Sequence, residues 1–388
     1  MGLVSSEVAF LTDLGLIASL TLVLSLIFIR LKLPIAIGHL IVGMLIGPYS
    51  LNLIQDLNII NLMASLGIIL LLFIIGAGMD PSQLKRVGIK VLTLTSIEIA
   101  VCMIAGLILG LLLGLSWIES LFLASILSIS STAIVVKMIP EVKELSEGGR
   151  PLIVGIMLME DIFVVVLLIL LQSFAVAGRV SLPDLAFLAL KGFVLVLIIV
   201  FLSHRFIPKL IDFVRGYEKE EGEISLLLSL GLGFFFAIVA TYLGYSPAIG
   251  AFTVGLMIRG EQSCFIWGKI SPFMNLFMVI FFISMGALID PKVFLNLSFP
   301  LILIVTVGIM SKFIGGWLGA RACKMNGKEW VVGLTIVPRG EFSFVFAGIG
   351  LSLGVITLSM YSFVGIVVLV TSLFPPIFLA LRKKIIKK

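Results

Sequence analysis

The chain has 388 residues, 60% of them hydrophobic and only 12% charged, with a mean hydropathy of +1.27. About a quarter of the residues of a soluble domain are charged, so the composition excludes a soluble enzyme and indicates a polytopic membrane protein. The net charge of +6 fits basic loops on one membrane face rather than a nucleic-acid footprint.

A spanning helix needs about 20 mostly apolar residues, and charges with Pro/Gly punctuation divide the chain into about 13 such segments. The first, 7–30, follows a start that carries Glu7 and Asp13 and lacks the basic region of a signal peptide. Gly2 and Ser6 formally fit an acylation pattern, which adds little to a chain anchored many times over. The second, 33–49, is short and Gly-rich. Then come 61–79, 86–115 with Glu98, 117–139 with "SISSTAIVV", and 150–176, where Glu160 and Asp161 stand side by side in an apolar run. After 184–204 comes a polar, partly amphipathic connector, "RFIPKLIDFVRGYEKEE" (205–221). The remaining segments are 222–244, the short Gly-rich 246–260, 268–288, 297–321 with Lys312, 328–354 with "TIVPRGEFSFVF", and 358–382.

Lys and Arg set the orientation. With the N-terminus outside, one face collects Arg30, Lys32, Lys85, Arg86, Lys137, Arg150, Arg205, Lys219, Arg321, Lys328 and the basic C-terminal tail, whereas the other holds Arg179 and Lys292. The C-terminus is therefore expected in the cytoplasm. Cys102, Cys264 and Cys323 lie too far apart for a disulfide framework, and two histidines are too few for a metal cluster. His39 and Asp13 read as packing or interface residues.

An internal repeat follows. "LPIAIGHLIVGMLIGP" (33–48) echoes "SPAIGAFTVGLMIRG" (246–260), and "LLFIIGAGMDPSQL" (71–84) echoes "VIFFISMGALIDPKVF" (279–294). Related spans are seven apart. An odd offset turns the two halves upside down relative to each other, the arrangement of many secondary transporters, whose site lies near the midplane at interrupted helices. The same offset pairs span 5 with span 12. Pro338 removes a backbone donor and Gly340 adds freedom, so span 12 should break near its middle. Ser128, Ser130, Ser131 and Thr132 can serve the backbone where span 5 opens. Two opened helices would aim carbonyls at one point, a source of oxygen ligands for a hard cation.

The ionisable groups deep in spans are Glu98, Glu160, Asp161 and Lys312, joined by Arg339 and Glu341 at the break in span 12. They gather in spans 4–6 and their inverted mates, which suggests a charged core moving against an apolar scaffold. Adjacent helical residues point about 100° apart. One division sends Asp161 to opened helix 5 and Glu160 towards Lys312; the alternative is that both carboxylates are neutralised structural pairs. Glu98, Arg339 and Glu341 read as compensation for the helix ends.

At these residues the chain resembles the monovalent cation:proton antiporter-2 family, which includes bacterial Na+/H+ antiporters and the membrane domains of glutathione-gated K+ efflux systems. The segments that carry the likeness are "LPIAIGHLIVGMLIGP", "LGIILLLFIIGAGMD", "SISSTAIVVKM", "MEDIFVVV" and "PRGEFSFV". The resemblance implies an all-α fold of two inverted repeats with crossed, broken helices. It also implies a homodimer, with 1–80 and 222–290 as the scaffold halves. Residues 86–176 and 297–382 become the ion-transport core halves, and 184–221 a linker helix and connector. The family's ion-binding aspartate falls on Asp161 and its core lysine on Lys312. Glu160 departs from the Asp, Asn or Gln that precedes that aspartate in the family.

The expected function is exchange of Na+ (or Li+ or K+) for H+ across the cytoplasmic membrane by alternating access, without a cofactor and without enzymatic chemistry. Ser130, Ser131 and Thr132 are expected within ligand reach of the ion. Asp161 is expected to hold Na+ and a proton in turn. A Glu160–Lys312 pair that breaks during the cycle would make the exchange electrogenic. The alternative is a K+/H+ antiporter or a channel-like K+ efflux protein. No G-x-G-x-x-G follows a predicted strand, so nucleotide gating is not expected.

Overall fold

The computed structural model describes residues 2–31, 33–54, 57–78, 81–139, 142, 149–177, 207–217, 223–243, 246–258, 273, 276–295, 298–325 and 327–386. Every regular element among them is a helix: α1 (Gly2–Arg30), α2 (Ile35–Ile46), α3 (Leu57–Gly78), α4 (Pro81–Leu112), α5 (Trp117–Ser128), α6 (Thr132–Met138), α7 (Gly149–Ala177) and α8 (Ile207–Tyr217). There follow α9 (Glu223–Tyr242), α10 (Pro247–Met257), α11 (Leu276–Ala287), α12 (Lys292–Leu295), α13 (Phe299–Ala322), α14 (Glu329–Thr335), α15 (Glu341–Ser352) and α16 (Leu358–Ile386). The expected span over 184–204 lies outside the described residues.

Five of these helices contain single stretches long and apolar enough to cross a membrane: Ile60–Ala77, Gly88–Leu112, Pro151–Gln172, Phe299–Ala322 and Leu358–Phe378. Spans 5 and 12 are missing from that set because each is built of two short helices, α5 with α6 and α14 with α15. α4 breaks too: Gly88 sits at φ 67°, a left-handed value that favours glycine, so the long spanning piece starts there. Large apolar side chains such as Leu22, Leu26, Leu112 and Phe299 face outward, as lipid-facing positions should.

The helices pack as two groups. In one, α1 lies on α2, and α10 is wedged between α3 and α9. α2 and α11 cross almost backbone to backbone. A Cβ at Gly43 would lie 2.0 Å from the Ile283 carbonyl oxygen, and one at Gly286 would lie 2.1 Å from that of Leu40. Small residues buy this close approach, which is how helices associate where lipid removes the hydrophobic drive. In the other group α4 packs on α5, α7 and α13, while α15 lies between α5 and α16.

Among the described residues, hydrogen bonds join the groups where α7 and α11 finish and α10 and α16 begin. The Ser246 N–H donates to the Gln172 side chain over 2.7 Å. The Tyr361 hydroxyl donates to the Met285 carbonyl over 3.2 Å, and the Asp290 N–H donates to the Ser362 hydroxyl over 3.1 Å.

Candidate ion-binding site

The second group is built around two interruptions. α5 starts on a capping box formed by Ser116 and Glu119 and stops at Ile129, whose backbone is extended. The chain turns helical again at Thr132, with Ser131 as the N-cap. Opposite, α14 ends at Thr335 and α15 begins at Glu341, with Pro338 and Gly340 in the gap. The two gaps cross in contact: the Ser131 N–H donates to the Pro338 carbonyl over 2.8 Å. Gly340 is required here, since a Cβ would lie 2.4 Å from both Cβ and Oγ of Ser131.

A helix that stops inside a membrane leaves its last four carbonyls without partners. For α5 all four are met. The Ser125 carbonyl accepts from the Ser128 hydroxyl over 2.9 Å, and that of Ile126 from the Ser343 hydroxyl over 2.9 Å. The Leu127 carbonyl accepts from Arg339 Nη2 over 2.6 Å, and that of Ser128 from Lys312 Nζ. Arg339 also donates to the carbonyls of Val337 over 2.6 Å and Gly308 over 2.7 Å. Its own backbone is held by Thr371 and Ser372 of α16. Arg339 therefore sits on helix ends, where the sequence reading put it. The carbonyls themselves differ from expectation: they accept from protein donors rather than standing open to an ion, because three side chains from α13, α15 and the gap before α15 reach them first.

The carboxylates divide the opening of span 5 between them. Glu160 accepts from the Ser130 N–H over 2.6 Å at Oε2 and lies 3.1 Å from Lys312 Nζ at Oε1. The Ser130 hydroxyl lies within hydrogen-bond distance of both Glu160 Oε1 (3.1 Å) and the Ile336 carbonyl (2.7 Å). The Thr132 hydroxyl stands 3.2 Å and 3.4 Å from the two carboxylate oxygens of Asp161. The Ser131 hydroxyl donates to Glu341 Oε2 over 2.9 Å. Lys312 also pairs with Glu98, so one wholly buried ammonium lies between two buried carboxylates and a carbonyl.

All the sequence-selected groups thus meet at one crossing. Two details were not foreseen. Glu160 reaches the opened helix as well as Lys312, and Glu98 belongs to Lys312 rather than to a helix end. The second was readable in principle, since spans 4 and 11 are repeat partners with one buried charge of each sign. The contributions of Ser343, Thr371 and Ser372 left no such mark; they are ordinary hydroxyls in apolar runs.

A buried crossing lined by carboxylates and hydroxyls can strip a small cation of water and replace its hydration shell with fixed oxygens. A protein-family model described as "Sodium/hydrogen exchanger, transmembrane" matches residues 16–380. The K+/H+ antiporter subunit KhtU of Bacillus subtilis is 29% identical over 384 residues, covering 96% of this chain and 93% of its own. The Na+/H+-K+ antiporter GerN of Bacillus cereus is 27% identical, covering 95% of each. Among solved structures, the sodium proton antiporter MjNhaP1 of Methanocaldococcus jannaschii superposes with a TM-score of 0.68 at 18% identity, over 96% of both chains.

Proposed function

The chain belongs to the sodium/hydrogen exchanger family of transmembrane proteins, and from that premise we propose that Asp161 is the carboxylate that cation and proton occupy in turn. The protein is a secondary transporter of monovalent cations and protons, not an enzyme. The observation that carries the assignment is the position of Asp161: 2% exposed, with Thr132 of the opened helix at 3.2 Å. A carboxylate so placed must be neutralised, and either a proton or a cation does it. Exchange is then competition for one site.

In this reading Ser130, Ser131 and Thr132 shape the site, while Glu160, Glu98, Lys312 and Arg339 compensate charge around it. Residues 86–176 and 297–382 move as the transport core against a scaffold of 1–80 and 222–290, with 184–221 as linker. The scaffold forms the interface of a homodimer in the cell membrane, N-terminus outside and C-terminus cytoplasmic. Na+ is the leading cation. K+ is the second reading, supported by the K+/H+ activity in the name of the Bacillus subtilis relative.

The experiment is a proteoliposome assay with a pH-sensitive dye inside the vesicles and Na+, Li+ or K+ added outside. Proton movement on adding a cation, competitively slowed by acid, is the expected result. Cation flux without proton movement would mean a channel and would end the antiport reading; the cation with the lowest half-saturating concentration is the substrate.

A further inference from the structure

The connector between the two halves takes no part in the crossing, and its helix differs in kind from the spanning ones. α8 separates apolar from polar positions far more sharply than α7 or α16. At about 100° per residue, Ile207, Leu210, Ile211, Phe213, Val214 and Tyr217 fall within one arc of the helix. Lys209 and Arg215 occupy positions at the two borders of that arc, and Asp212 a position at the middle of the opposite one. We propose that α8 lies in the surface of the bilayer on the basic face of the protein, with its bare apolar flank in the acyl boundary and Lys209 on anionic lipid headgroups.

Only part of the apolar arc is covered by the chain itself. α8 packs on α9, and Val214 is buried. Leu210, Phe213 and Tyr217, on the flank of the arc next to Lys209, are 36%, 62% and 70% exposed. The rings of Phe213 and Tyr217 stand 4.9 Å apart, so the bare residues form one patch rather than scattered points. A contiguous apolar patch rimmed by polar residues marks a protein or membrane contact. Charge selects between the two. Lys209 is itself exposed and stands beside the patch, where its stem can run along apolar surface while its ammonium stays at the phosphates. Cations bordering an apolar arc, with the acid on the far side, are the pattern of a helix bound in the plane of an anionic bilayer. Position in the chain agrees: the connector joins two expected spans on the face that collects Lys and Arg. Leu227, in the early turns of the helix that α8 packs on, is 69% exposed, as a lipid-facing residue is. The surface-bound helix holds the connector at a fixed depth between the parts it links.

Tryptophan fluorescence of the full chain in vesicles tests this, with Phe213→Trp compared against wild type so that the four native tryptophans subtract out. Tyr217→Trp gives a second position should Phe213→Trp fail to fold. The vesicles contain phosphatidylcholine brominated either near the headgroup or near the chain end. The added fluorescence should be quenched, and more strongly by bromine near the headgroup. Emission that neither lipid quenches would mean that the patch faces water or another protein surface, a second copy included, and would overturn the proposal. Stronger quenching from the chain ends would place α8 deep in the bilayer and overturn it equally. A second arm tests the charge by moving the bromine, at equal mole fraction, from phosphatidylcholine to phosphatidylglycerol. One cation at the surface should enrich the anionic lipid about fivefold around α8, so brominated phosphatidylglycerol should quench more, and Lys209→Glu in the Phe213→Trp chain should bring the two lipids towards equal quenching. Equal quenching before that substitution would refute the recognition of anionic headgroups. Neither arm involves the ion site, so the outcome is independent of the reading of Asp161.

Discussion

The two helix groups solve the problem of cohesion in lipid by opposite means. α2 and α11 touch through Gly43 and Gly286, and among the described residues the buried polar side chains of their group are few: His39, Ser229, Thr253 and Ser284. His39 meets Ser25 at 3.2 Å, and Thr253 and Ser284 return their hydroxyls to their own helices. In the other group Glu98, Glu160, Asp161, Lys312, Arg339 and Glu341 are all buried. That group is held by donors from one span reaching carbonyls of another. One group is cemented by shape and the other by polar complementarity, and the proposed ion site lies in the second. Damage to the first should cost stability and spare ion affinity, whereas damage to the second should touch both or affinity alone.

The largest effect is expected at Asp161. Asp161→Asn should abolish exchange while leaving the unfolding temperature in detergent near that of wild type; robust exchange by the variant would remove the site from Asp161. Next is Arg339→Met, which strips donors from the carbonyls of Leu127, Val337 and Gly308. Each buried orphan costs about 1–3 kcal/mol, so thermal unfolding should shift down by many degrees. A protein as stable as wild type would mean that water replaces the guanidinium. The matching test in the apolar group is Gly43→Ala. Overpacking costs about 1–3 kcal/mol, so the unfolding temperature should fall with the half-saturating cation concentration unchanged. A change in ion affinity there would erase the distinction between the groups.

Smaller effects sharpen the polar group further. Thr132→Ala removes a neutral hydrogen bond worth about 0.5–1.5 kcal/mol. The half-saturating cation concentration should therefore rise about two- to tenfold in transport assays, with expression unchanged; Ser130→Ala and Ser131→Ala give the comparison. The smallest concerns voltage. Because Lys312 touches Glu98 as well as Glu160, losing Glu160 during the cycle would not strip the ammonium of its partner. With Glu98 in place Lys312 would keep its proton, and one-for-one exchange is the prediction set against the electrogenic one. Wild-type rates in liposomes clamped at different potentials should be flat, and Glu98→Gln should introduce a voltage response. A voltage-dependent wild type would restore the original single-pair view.

Legibility in the sequence followed chemistry that has no soluble counterpart. The spans were plain because lipid demands long apolar runs. The breaks were plain because Pro338 and Gly340 have direct backbone consequences, and because hydroxyls crowd 128–132 in an otherwise apolar segment. Buried charges announced themselves by cost. What stayed hidden was pairing. Nothing in "SISSTAIVV" tells which of Ser130 and Thr132 faces Glu160 and which Asp161, since that depends on how two non-helical segments cross. Nor does a sequence disclose that the carbonyls of α5 would be claimed by Ser343, Arg339 and Lys312 before any ion arrives.

The hydrogen bonds that join the two groups among the described residues differ in kind from those inside the polar group. Gln172 with Ser246, Tyr361 with Met285 and Ser362 with Asp290 are joined through amides, hydroxyls and main chain. None of these groups changes charge between pH 5 and 8. Hydrogen bonds of this kind hold equally well in acid and in alkali, so the grip of one group on the other is uncoupled from the pH difference across the membrane. Gln172→Ala should accordingly lower the unfolding temperature in detergent by the same amount at pH 5 and at pH 8, and a loss that grows on one side of neutrality would place a titrating group in the seam.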